Sequence, residues 1–88
     1  MNMIDYERLV NEFSRLMLKR LLEKRRDYGD SWVNVPLMRL RGRLWSEVHE
    51  WLRAVWSGNE IQELEELVDI ANQCLLLYFR LLNGGRLK

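Results

Sequence analysis

The chain reads as an all-α protein, and three observations carry that reading. Apolar residues recur at three- and four-residue steps through most of its 88 residues, the pattern of helices that each bury one stripe. Clusters of Gly, Asn, Ser and Pro interrupt the pattern at its interior breaks, in "YGDSWVNVP" (28–36) and "SGN" (57–59). No stretch alternates apolar and polar residues as a strand requires. One domain of three helices follows. So short a chain covers its Leu and Trp side chains poorly, and association with further copies would help.

Helix 1 is expected over about residues 6–28. Asp5 is its N-cap, and Tyr6, Leu9, Val10, Phe13, Leu16, Met17 and Leu21 form its stripe. Gly29 suits the left-handed cap that ends it. Residues 29–35 form a loop, and helix 2 runs over about 36–56, with Pro36 fitted to a first turn. Three residues then make an antiparallel hairpin, and Asn59 caps helix 3 over about 60–83, with Gln62 placed to reach back in a capping box. Trp45 and Trp51 are expected in the core.

Composition narrows the classes. No apolar run approaches the length of a bilayer span, and the first ten residues lack the basic and apolar regions of a signal peptide, so a cytoplasmic location is expected. The single cysteine, Cys74, excludes an internal disulfide and reads as a small apolar helix residue. Net charge is +1, with bases gathered in "KRLLEKRR" (19–26) and "MRLRGR" (38–43) and acids in "EIQELEELVD" (60–69). With so little excess charge, nucleic acid is a poor partner. Such basic runs are solvated faces or intramolecular partners for an acidic segment.

The most informative residue is Asp69, set in the apolar run "EELVDIANQCLLLYF" (65–79). A charge there needs a positive neighbour or exposure to water. On helix 2, Leu40, Arg43, Glu47, Glu50 and Ala54 share a face, and on helix 3 Gln62, Glu66, Asp69 and Gln73 do so. If these faces meet, Glu47, Glu50, Glu66 and Asp69 converge. Four such carboxylates suit a hard divalent cation, magnesium above all, and phosphate hydrolysis, although acids three residues apart, such as Glu63 and Glu66, also recur on solvated helix faces. On this reading relief of their repulsion makes Asp69→Asn more stable than the parent in chelator; an Asp69 paired to Arg predicts the opposite sign.

"EVHE" (47–50), a gap of fifteen residues and "ELVD" (66–69) resemble the E-x-x-E, spacer, E-x-x-D signature of the MazG-like all-alpha nucleotide pyrophosphohydrolases. "KRRDYGDSW" (24–32) is similar to a stretch of small members of that family, and "EVHEWLRAVW" (47–56) to its E-x-x-E-followed-by-Trp pattern. The resemblance spans about residues 6–80. It implies hydrolysis of a nucleoside triphosphate to a monophosphate and pyrophosphate, with Mg2+ held by Glu47, Glu50, Glu66 and Asp69 and one glutamate positioning water. It also implies a homodimer or homotetramer whose chains complete each helical bundle.

Lys24, Arg39 and Arg43 are then candidates for the triphosphate, although Arg43 could equally pair with Glu47 one turn on. Tyr28, Trp32 and Trp56 are candidates for stacking on a base, with a core role open for Trp32 and Trp56. Asn72 and Gln73 suit a ribose or a carboxylate, or a polar contact between helices. His49 points away from both neighbouring glutamates. The alternative function is a catalytically silent helical oligomerisation or interaction module.

Overall fold

The computed structural model describes residues 3–84, and among them every regular element is helical. Helix α1 spans Tyr6–Tyr28, α2 Leu37–Trp56 and α3 Glu60–Leu82, with a single 3₁₀ turn, Ser31–Val33, inside the segment expected as plain loop. The caps act where local chemistry puts them. Asp5 Oδ1 accepts from the Arg8 N–H at 3.1 Å, and Asn59 Oδ1 from the Gln62 N–H at 3.0 Å. Gly29, at φ 66°, sends its N–H to Arg25 O and ends α1. Pro36 is the residue before α2, not part of it. Gln62 does not close a capping box; its amide donates to Glu66 Oε1 at 2.6 Å, because a buried carboxylate one turn on is the stronger acceptor.

The α2–α3 hairpin is the body of the fold. Along α2 the seven-residue steps Leu40, Glu47 and Ala54 form the seam against α3, and Leu40 and Ala54 are fully enclosed. The helix α1 contains no buried residue and touches α3 through its C-terminal half. Arg80, buried on α3, donates from Nη1 to Trp32 O at 2.8 Å and Val35 O at 2.7 Å, which pins the α1–α2 connection across α3.

Among the described residues the buried apolar set is Leu40, Ala54 and Val68 alone, beside four buried polar residues, Glu66, Asp69, Asn72 and Arg80. Trp45, expected in the core, is 67% exposed, since the seam passes one side of it; Cys74 is exposed as well. The radius of gyration is 14.7 Å, against about 12 Å for a compact chain of this length. No described helix is long and apolar enough to cross a membrane.

Candidate metal centre and adjoining cleft

Three of the four expected carboxylates meet. Glu47 from α2 and Glu66 and Asp69 from α3 each offer an oxygen within 4.8 Å of the others. The spacing of Glu66 and Asp69 puts both on the α3 face that packs on α2. Glu66 is 7% exposed and Asp69 4%. Glu50 does not join them: it is exposed, and its carboxylate pairs with Arg53 at 3.2 Å. The cause lies in how α2 rolls against α3. Trp51, half-buried, donates its indole N–H to Glu63 at 3.0 Å, so the Trp51 flank turns toward α3 and the Glu50 flank toward solvent.

The positive charge that Asp69 needs comes from α1. Arg20 Nε donates to Asp69 Oδ1 at 3.0 Å and Nη2 reaches Oδ2 at 3.4 Å, a two-point clamp. That clamp raises the Arg20 pKa, chiefly through its hydrogen bond to Asp69. One turn further, Lys24 Nζ stands 3.7 Å from Asp69 Oδ1 and 4.0 Å from Glu47 Oε1. The basic run of α1 is thus used as an intramolecular partner. Arg20 was not among the residues expected at the site; its signal was the four-residue spacing to Lys24, which sets both on one helix face.

Burial pushes the Glu47 carboxyl up to about 6; the Asp69 and Glu66 carboxylates push the same way, and Lys24 opposes them. The Glu66 Oε2 atom is buried without a hydrogen-bond partner. An acceptor left so in an acidic cluster fits a cation ligand better than a structural carboxylate. The donor set of three carboxylate oxygens also suits a hard divalent ion. Oxygens bound to one magnesium lie at most about 4.2 Å apart, so small side-chain adjustments would close the set.

Glu47 and Lys24 link the cluster to a cleft of about 690 Å³, whose wall they both line. Its wall includes Lys24, Tyr28, Trp32, Arg43, Asn72 and Gln73, six of the residues expected to hold substrate, together with Glu47 and Arg25. Leu21, Leu75, Leu76 and Phe79 supply an apolar side. Asn72 is anchored by an amide N–H to Met17 O at 3.1 Å, and its Oδ1 and the Gln73 Oε1 are buried without partners. Trp56 lies outside the cleft, 79% exposed at the far end of α2. Arg39 is exposed and also absent from the wall. His49 is exposed, its ring nitrogen Nδ1 2.9 Å from Trp45 O.

The chain matches no family model, no curated protein and no solved structure.

The Arg20 clamp decides the sign of an Asp69 substitution. Asp69→Asn leaves Arg20 and Lys24 without their shared partner, and the expected loss is about 1–3 kcal/mol in chelator, limited by Arg20's contact with solvent. Chemical denaturation of both proteins measures it, and an Asn variant more stable than the parent would show that carboxylate repulsion dominates the clamp.

Glu47 sets a second, pH-dependent expectation. Its raised folded pKa means that its contribution to stability is complete below about 4.5 and is lost as pH rises through about 6. In chelator the parent therefore loses about 1–2 kcal/mol relative to Glu47→Gln on going from acid to neutral pH. Parallel stability curves for the two proteins across that window would refute the assignment.

Proposed function

We propose that this chain is a magnesium-dependent nucleoside triphosphate pyrophosphohydrolase working as a homodimer or homotetramer. The observation that carries the reading is the grouping of Glu47, Glu66 and Asp69, with Glu47 also lining a cleft that presents Lys24, Arg25 and Arg43. Carboxylates for a cation beside cations for an anion make a site for a metal-complexed polyphosphate. The resemblance of residues 47–50 and 66–69 to the acidic signature of the MazG-like enzymes supports the same chemistry.

Glu47, Glu66 and Asp69 would hold the ion, which when bound supplies Lewis-acid polarisation of phosphoryl oxygens and a water of lowered pKa. Glu47, which belongs to the cluster and also lines the cleft, is the carboxylate placed to orient the attacking water and take its proton. Arg43 and Arg25 neutralise phosphate charge, while Tyr28 and Trp32 offer faces to the base. Water adds at the α-phosphorus and the bond to the β-phosphate bridge breaks, releasing pyrophosphate and a nucleoside monophosphate.

The test is pyrophosphate release from a panel of nucleoside triphosphates with millimolar magnesium. Glu47→Gln is expected to lower turnover by at least about 100-fold, whereas Glu50→Gln stays within about threefold of the parent because its carboxylate stands outside the cluster. A panel with no magnesium-dependent release sinks the function. Silencing by Glu50→Gln alone would sink the three-carboxylate assignment.

Area supports the oligomer. The chain exposes 7284 Å², whereas a compact monomer of its mass exposes roughly 5500 Å². The excess, roughly 1800 Å², is of the size each partner buries in an obligate interface. On α1 the residues Tyr6, Leu9, Val10 and Leu16 are at least half exposed along one stripe, with Phe13 among them at 39%. Sedimentation equilibrium is expected to give a dimer or tetramer at micromolar concentration, and Phe13→Glu to shift it toward unfolded monomer; a well-folded parental monomer would overturn the assembly.

A further inference from the structure

We propose that Lys24 is an exchangeable counter-ion: it occupies the carboxylate cluster until a divalent cation binds, then turns into the cleft and holds the polyphosphate. The inference rests on the metal-site reading above and adds how that site is regulated. Its ground is the unequal grip of the two bases on Asp69. Arg20 is hydrogen-bonded at 3.0 Å and 3.4 Å. Lys24 makes only long ion pairs, 3.7 Å to Asp69 and 4.0 Å to Glu47, and bridges two of the three carboxylates. Its side chain is 37% exposed and lines the cleft. It is the looser base, and it already stands beside the alternative position.

Support for a ligand here comes from Glu66, nine-tenths buried, whose Oε1 accepts from Gln62 at 2.6 Å while Oε2 has no partner. The Lys24 ion pairs run to Glu47 and Asp69 and leave Glu66 Oε2 unserved. Glu47, Glu66, Asp69 and Glu23, which pairs with Arg20 at 3.6 Å, together outweigh Arg20 and Lys24 by two charges, so the cluster draws a divalent ion with both bases present. Lys24 bridges the Glu47 and Asp69 carboxylates that would hold that ion, so ion and ammonium group repel each other there. The departing ammonium then meets a polyanion in the cleft instead of water.

Metal and polyphosphate are therefore coupled through one side chain. The cation frees Lys24 for phosphate, and phosphate, by holding Lys24 away, favours the cation; thermodynamic reciprocity requires equal factors in both directions. Free metal binds weakly because it must first evict a tethered competitor. With metal-complexed polyphosphate that cost is offset by the new contact of Lys24 with phosphate, so the site discriminates against the bare ion.

The experiment is acetylation footprinting of the parental protein, with Lys24 reactivity read by mass spectrometry in chelator, in magnesium, and in magnesium with inorganic triphosphate. Lys24 is expected to gain reactivity severalfold with magnesium and to lose it again when triphosphate is added. Alongside, calorimetric titration with magnesium alone is expected to show about tenfold tighter binding by Lys24→Met. Arg25→Met, which removes a cleft charge paired with Asp30 at 3.4 Å rather than with the cluster, changes it little. Magnesium binding with unchanged Lys24 reactivity would overturn the exchange while leaving the hydrolase reading in place. Equal tightening by Lys24→Met and Arg25→Met would reduce the effect to general charge and overturn it too. No magnesium binding by the parent or Lys24→Met, with or without triphosphate, removes the metal site and the exchange together.

Discussion

The contact on which the rest depends is the clamp of Arg20 on Asp69. A helix with no fully buried residue, whose half-buried apolar side chains are Met17 and Leu21, has limited hydrophobic reason to stay on the α2–α3 hairpin. What holds α1 is polar: the Arg20 clamp, the long pairs from Lys24 and the Asn72 amide on Met17 O. A carboxylate as enclosed as Asp69 is costly without a hydrogen-bonded cation, and that cost makes the attachment specific in register as well as favourable. The cleft exists only because of it, since Leu21, Lys24 and Tyr28 are walls contributed by α1.

The second constraint is the roll of α2 about its own axis. Leu40, Glu47 and Ala54 form the seam, and the indole of Trp51 settles which flank turns inward. A half-buried indole removes far more apolar surface from water than the stem of a glutamate. The glutamate that wins a place inside is therefore the one on the seam, Glu47, and its raised pKa records the cost of being there. Arg53, one turn from Glu50, gives the other glutamate a partner in solvent.

The interior of the protomer is thus spent on charges. Among the described residues four buried polar ones outnumber three buried apolar ones, and large apolar side chains stand on the outside of all three helices. Such a protomer is marginal alone, and anything that binds only its folded form, a second copy or a cation, adds directly to its stability. The exposed apolar stripe of α1 and the polar interior go together: where the carboxylates and their bases take up the interior, apolar side chains are left outside.

What the sequence determined by itself is the set of elements: three helices, bounded by Asp5, Gly29 and Asn59, whose capping depends on atoms within a turn of each other. It also determined that Glu66 and Asp69 share a face, because helical periodicity is a local property. The gathering of Lys24, Tyr28, Trp32, Arg43, Asn72 and Gln73 around one cleft required only that three adjacent helices fold together. Only the tertiary structure decided that Glu50 and Trp45 face outward, that Gln62 serves Glu66 and not its own cap, that Trp56 stands apart from the cleft, and that Asp69's counter-charge is Arg20. Each depends on rotation of one helix against another, set by competition among side chains distant in sequence. A glutamate three residues from a buried one is equally placed to turn inward or outward by periodicity alone. The larger apolar area of Trp51 broke that tie.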